Sequence, residues 1–134
     1  MIRGDKETII SLTDVKLHLV DSIDDVLALN SWLGTQRPHH ALAFDTETTG
    51  LRVGSDYVRM VQIGDGMHGW AMPLDRWGGV FADVIKKWDG WLLAHNAKFD
   101  AGMLGFAGIH VPRPRVRDTR LMAHCISPQY STAL

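Results

Sequence analysis

Polar and apolar positions along the chain change period several times, and each change marks an element. Val15-Lys16-Leu17-His18-Leu19-Val20 alternates, the period of a half-buried strand. Ser22 and three acids at 21, 24 and 25 then supply a helix start, and Val26, Leu29 and Leu33, joined by Leu27 and Trp32, keep a helical stripe until Gly34. A second strand runs from Ala41 into Asp45-Thr46-Glu47. Residues 57–64, rich in β-branched and aromatic side chains, enter a hairpin at Gly64-Asp65-Gly66, and residues 68–72 are its partner, stopped by Pro73. After Gly78-Gly79, the spacing of Val80, Phe81, Val84, Ile85 and Trp88 predicts a helix. Residues 91–95 are a continuous apolar run of the buried-strand type. That run leads straight into a helix from Asn96 to Gly105 or Gly108. Residues 111–117 read as extended, and Asp118-Thr119 caps a last helix that Ser127-Pro128 ends. The first 14 residues show no period, although Ile9, Ile10 and Leu12 would suit a short edge strand.

Strands alternating with helices around an antiparallel meander predict an α/β fold with a mixed sheet. At 134 residues, with 46% hydrophobic and 22% charged positions, the chain fits one globular domain over residues 15–134, preceded by an extension or edge strand over residues 1–14. The formal net charge of -1 gives no global attraction for nucleic acid, so any phosphate-binding surface must be local or metal-assisted. Cys125 is the single cysteine, which excludes an intrachain disulfide and a cysteine-built zinc site. No run approaches the length of a membrane span and no signal peptide opens the chain, so the expectation is an intracellular protein without a membrane partner.

Asp45 and Glu47 are two apart on a strand and leave the same face, with Thr46 on the other. Like charges that close repel unless a cation lies between them, and a divalent metal is one solution; two solvated acids at a strand end is the plainer one. Asn96 and Asp100, four apart, share a helix face just after the buried strand. His39 and His40 are ordinary solvated loop histidines or metal ligands. Arg113, Arg115 and Arg117 alternate along the extended segment, forming a solvated basic face or a stripe for phosphates.

Phe44-Asp45-Thr46-Glu47-Thr48-Thr49-Gly50-Leu51 resembles the first exonuclease motif of the DEDD superfamily of 3′-5′ exonucleases, which have an RNase H-like fold. His95-Asn96-Ala97-Lys98-Phe99-Asp100 resembles the second, and Arg117-Asp118-Thr119 the segment that follows it. The overall likeness is to the proofreading domain of bacteriophage and bacterial family A DNA polymerases. The resemblance implies two Mg²⁺ or Mn²⁺ ions about 3.5 to 4 Å apart, with Asp45, Glu47 and Asp100 as metal ligands and catalytic acids. It places Thr48, Thr49, Leu51, Asn96 and Phe99 against the 3′ end of single-stranded DNA. It further implies a nucleoside monophosphate product, a polymerase domain in cis or in trans, and the cytoplasm of a bacterial or phage-infected cell.

The family's third motif, a Tyr or His a few residues before an Asp, does not follow the Asp118 helix. A domain without its C-terminal helices is therefore expected, binding metal weakly and hydrolysing DNA weakly or not at all by itself. Two other readings stay open: a non-catalytic RNase H-like module that binds nucleic acid or a partner, and an exoribonuclease that trims RNA 3′ ends.

Overall fold

The alternating and helical stretches resolve, in the computed structural model, into one mixed sheet with helices, described over residues 14–129. The order is β1 (Lys16–Leu19), α1 (Ile23–Gly34), β2 (Leu42–Thr48), β3 (Val58–Gly64), β4 (His68–Pro73), α2 (Leu74–Lys87), β5 (Leu92–Ala94) and α3 (Ala97–Phe106). A 3₁₀ turn at Arg113–Arg115, β6 (Val116–Asp118) and α4 (Thr119–Ile126) follow. The suggested strand at Ile9, Ile10 and Leu12 lies outside the described residues. Among the described residues no helix is long and apolar enough to cross a membrane.

Across the sheet the strands run β1-β4-β3-β2-β5-β6. Only β3 is antiparallel to its neighbours; β1 with β4, β2 with β5 and β5 with β6 are parallel pairs. The crossovers through α1, α2 and α3 all step in the same direction along this order, so right-handed connections place the three helices on one face. That face carries Leu42, Phe44, Val61, Ile63, Trp70 and Met72, which pack with Leu29 and Trp32 of α1, Trp77, Phe81 and Ile85 of α2, and Met103 and Leu104 of α3. The alternate positions of β2, Ala43, Asp45 and Glu47, point to the other face and are exposed.

Local chemistry explains the ends of the elements. Ser22 and Asp25 form a reciprocal cap on α1: the Asp25 N–H donates to Ser22 Oγ at 3.2 Å, and the Ser22 N–H to Asp25 Oδ2 at 2.8 Å. The helix expected after Gly78-Gly79 begins instead at Leu74 and runs through both glycines. Its buried stripe starts at Trp77, and this packing outweighs the low helix propensity of glycine. Asn96, expected on the α3 face, is its N-cap in the left-handed conformation, at φ 67° and ψ 49°.

Asp118 knits the end of the sheet together. Its carboxylate accepts the N–H groups of Arg120 and Leu121, capping α4, at 2.9 and 3.4 Å. It also accepts those of Asn96 and Ala97 at 3.0 and 2.8 Å, fixing the junction between β5 and α3. Burial by itself would raise its pKa, but these backbone donors outweigh that and hold it below the ordinary carboxylate value.

The expected basic stripe is not formed. Proline on both sides of Arg113 favours a 3₁₀ turn there; Arg115 donates to the carbonyls of Ile85 and Lys86, both at 3.2 Å, closing the end of α2. Arg117 donates to the Val116 carbonyl at 2.9 Å and lies 3.6 Å over the Trp91 ring.

Two predictions follow from this framework. A Cβ at Gly90 would run into the His40 carbonyl, whereas one at Gly79 meets nothing within 4 Å. Gly90→Ala is expected to cost about 2 kcal/mol or more, and Gly79→Ala, in a helix interior, to stabilise by about 0.5–1 kcal/mol, both read by denaturant unfolding. Asp118→Ala is expected to cost about 2 kcal/mol at neutral pH. Because the folded pKa of Asp118 is lowered, its contribution is complete above the unfolded carboxylate pKa and is lost as pH falls through the folded one. Unfolding curves of wild type and Asp118→Asn should therefore converge in acid.

Candidate active site at the end of strand β2

Pairing between β2 and β5 covers only Leu42 with Leu92 and Ala43 with Leu93, whereas β2 continues to Thr48. Beyond Ala43 the β5 side of β2 is therefore open, and α3 enters there. Its Asp100 is 3% exposed, and the Thr46 hydroxyl donates to its Oδ1 at 2.6 Å. Thr46, 8% exposed, is the residue between the two acids of β2 and faces the covered side.

Burial raises the pKa of Asp100, the bond from Thr46 opposes that rise, and the negative charge of Asp45 adds to it; the net direction is upward. Glu47 shares the open face with Asp45. Among the described residues no group of three or more His, Cys, Asp and Glu comes together as a metal-holding cluster. The reason is geometric: Asp45 and Glu47 project from one face of β2, while Asp100 meets Thr46 on the other. The donor type, hard carboxylate oxygen, suits Mg²⁺ or Mn²⁺.

Residues 49–57 form a loop built on Asp56, a residue that motif reading passed over. Its carboxylate accepts the Arg52 N–H at 2.9 Å and the Thr49 hydroxyl at 3.4 Å. Gly50 lets it approach, since a Cβ there would lie 2.5 Å from Asp56 Oδ2. The Thr48 hydroxyl donates to the Gly50 carbonyl at 2.7 Å, and the Tyr57 N–H to Thr49 Oγ1 at 3.1 Å. These bonds leave Leu51 projecting, 83% exposed. Beside Glu47 opens a groove of about 1120 Å³, walled by Thr48, Tyr57, Arg59, Met60 and Ile109 among others. Phe99 packs partly against the core, and Asn96 flanks the same junction as Asp100.

The structure does not bring every candidate here. His39 lies 3.8 Å from Asp89, and the His40 carbonyl accepts the Trp88 indole N–H at 3.1 Å, in the connection that leads into β2. Asp118 is committed to backbone N–H groups. Thr46 and Asp56 had no sequence signal beyond their positions next to the acids and the glycine turn, because their partners are set by the folded chain.

No family model matches the chain. It is 33% identical over 124 residues to a DNA polymerase of Mycobacterium phage L5, an alignment that covers 86% of this chain and 20% of that polymerase. The chain thus spans about a fifth of the length of that relative. Brucella melitensis NrnC with bound Mg²⁺ superimposes with a TM-score of 0.61 at 22% identity, over 90% of this chain and 57% of that one. Escherichia coli RNase D, an exoribonuclease involved in structured RNA processing, gives a TM-score of 0.60 at 19% identity, over 78% of this chain and 28% of that one. By these superpositions the chain shares the fold of NrnC and RNase D.

Proposed function

We propose that this chain is the nuclease module of a metal-dependent 3′-5′ exonuclease that acts on single-stranded nucleic acid. The observation that carries the reading is the Thr46 hydroxyl, set between Asp45 and Glu47 on β2, holding the nearly buried Asp100 carboxylate of α3 at 2.6 Å. Asp45, Glu47 and Asp100 are the residues proposed to take up Mg²⁺ or Mn²⁺, and NrnC, a fold neighbour, carries bound Mg²⁺. Such an ion polarises a phosphate and lowers the pKa of a bound water.

The chain's own residues do the rest. Thr46 holds Asp100 in one orientation. The loop pinned by Asp56 presents Leu51 to solvent, where it serves to wedge against a terminal base, while Thr48, Thr49 and the Asn96–Phe99 junction line the strand's path. Contacts of this kind are indifferent to base sequence. On the choice of polymer the two kinds of relative differ. The exoribonuclease RNase D supports trimming of RNA 3′ ends. The phage polymerase supports proofreading of single-stranded DNA, with a polymerase domain in cis or in trans and a nucleoside monophosphate as product.

Incubation of 3′-labelled single-stranded DNA and RNA with Mg²⁺ or Mn²⁺ tests both. Slow shortening from the 3′ end is expected of this chain and faster shortening once the third motif is supplied, in both cases stopped by chelator and reduced about 100-fold or more by Asp45→Ala; the faster polymer identifies the substrate. If neither is shortened even at high Mn²⁺ by a protein that also carries the third motif, the enzymatic reading fails in favour of a non-catalytic nucleic-acid-binding module of the same fold.

Asp100 supplies a second test that does not depend on turnover. Its pKa is raised in the folded state, so the stability linked to it is complete below the unfolded carboxylate pKa and is lost as pH rises through the folded one. At neutral pH the ionised side chain is a cost. Asp100→Asn keeps an acceptor for Thr46 without the charge, and in chelator it is expected to raise Tm by about 3 °C or more while abolishing activity. Added Mn²⁺ should raise the wild-type Tm and leave that of the variant where it is, read by thermal unfolding.

A further inference from the structure

Among the described residues β1 is an edge strand with little side-chain attachment to the sheet. Lys16, Leu17 and Leu19 are exposed, Leu17 by 81%, and His18 is the one half-buried residue among its four. Backbone bonds join it to β4, including the Lys16 N–H to the Met67 carbonyl at 2.8 Å and the Val20 N–H to the Ala71 carbonyl at 2.9 Å. The side-chain anchor within the strand is therefore His18. Its ring lies on the Trp70 indole, with centroids 4.0 Å apart and planes 17° apart. Its Nε2 is 3.1 Å from Nδ1 of His68.

The two imidazole planes differ by 3° and their centroids are 5.4 Å apart. That separation is as long as the nitrogen contact extended by both ring radii, so the rings meet edge to edge in a common plane. A contact of this shape is a hydrogen bond, and it needs one N–H and one lone pair. Two neutral rings satisfy it, and so does a pair with one extra proton. Two imidazolium rings have only donors to offer.

We propose that the His18–His68 pair is a proton-operated latch, which holds edge strand β1 on β4 and releases it when both rings are protonated. The groups facing the pair set its response. From the β3–β4 turn the Asp65 carboxylate accepts the N–H groups of Met67 and His68 at 2.9 and 2.8 Å and attracts a positive His68. From β1, Lys16 stands opposite His68 in register and adds a like charge. From α1 and the turn after it come two uncharged groups: Trp32, its ring 6.0 Å from that of His68, and Gln36, whose amide donates to the Trp32 carbonyl at 3.4 Å. One added proton is balanced by Asp65. The second sets two cations against each other across the contact, with Lys16 beside them. Release exposes the β4 edge, a row of backbone groups open to another strand.

Amide hydrogen exchange on the whole chain reads the latch, compared at about pH 7.5 and about pH 5, on either side of the ordinary imidazole range, after correction for intrinsic rates. Protection of the β1 amides is expected to fall about tenfold or more in acid while that of the β2–β3 pair holds. His18→Gln and His68→Gln keep a donor and an acceptor without a titrating ring, and each should make β1 protection equal at the two pH values. Unchanged wild-type protection in acid overturns the proposal. So does an acid loss of the same size in both glutamine variants, which would assign the proton to another group such as Asp65. If the variants do not fold, the imidazole ¹⁵N shifts of the wild type decide. The latch requires the second proton to arrive in step with the loss of β1 protection, and its arrival with β1 still protected overturns it.

Discussion

Every crossover between parallel strands in this chain steps the same way along the sheet, and right-handed connection then leaves α1, α2 and α3 one face to occupy. That constraint sorts every strand residue into a packed or an open environment. Phe44 and Thr46 of β2 fall on the packed side, Asp45 and Glu47 on the open side. A carboxylate from a crossover helix can reach the acids of β2 only around a strand edge, and the short β2–β5 pairing supplies one. The position of Asp100 is thus a consequence of topology before it is one of chemistry.

Electrostatics at that edge work against the fold. For the nearly buried Asp100 carboxylate, the Thr46 hydroxyl and lesser backbone donors favour the charge, and burial outweighs them, so its ionisation is opposed. Asp118 is the reverse case in the next turn of the chain. There four backbone N–H groups converge on a carboxylate and favour its charge. The first carboxylate resists ionisation; the second is a joint.

What could be read from the sequence was whatever a period or a short motif records. The alternation through β2, the hairpin around Gly64-Asp65-Gly66 and the strand-to-helix passage at His95-Asn96 stand in the structure as expected. Failures came where a distant partner decides. Gly78-Gly79 read as a helix boundary because the burial of Trp77 against the sheet carries no local mark. Arg115 and Arg117 read as part of one basic face, solvated or phosphate-binding, yet one closes α2, thirty residues earlier in the chain, and the other covers Trp91. The Thr46–Asp100 bond joins residues 54 apart and has no sequence signature at all. For the site, Asp45 and Glu47 were legible as neighbours on one face of β2; the hydroxyl that holds Asp100 was not.

Chain separation within the sheet also bears on the order of assembly. The β2–β3 and β3–β4 pairs are hairpin neighbours, whereas β1–β4 and β2–β5 join Lys16 to His68 and Leu42 to Leu92. Loop closure for the long-range pairs costs more entropy, so the meander is the natural first structure, and β1, β5 and α3 dock on it afterwards. Asp45 and Glu47 are then in position while still bathed in water, and the burial of Asp100 belongs to the late, native side of the barrier. The repulsion it brings shows in the rate at which the native chain opens more than in the rate at which it forms.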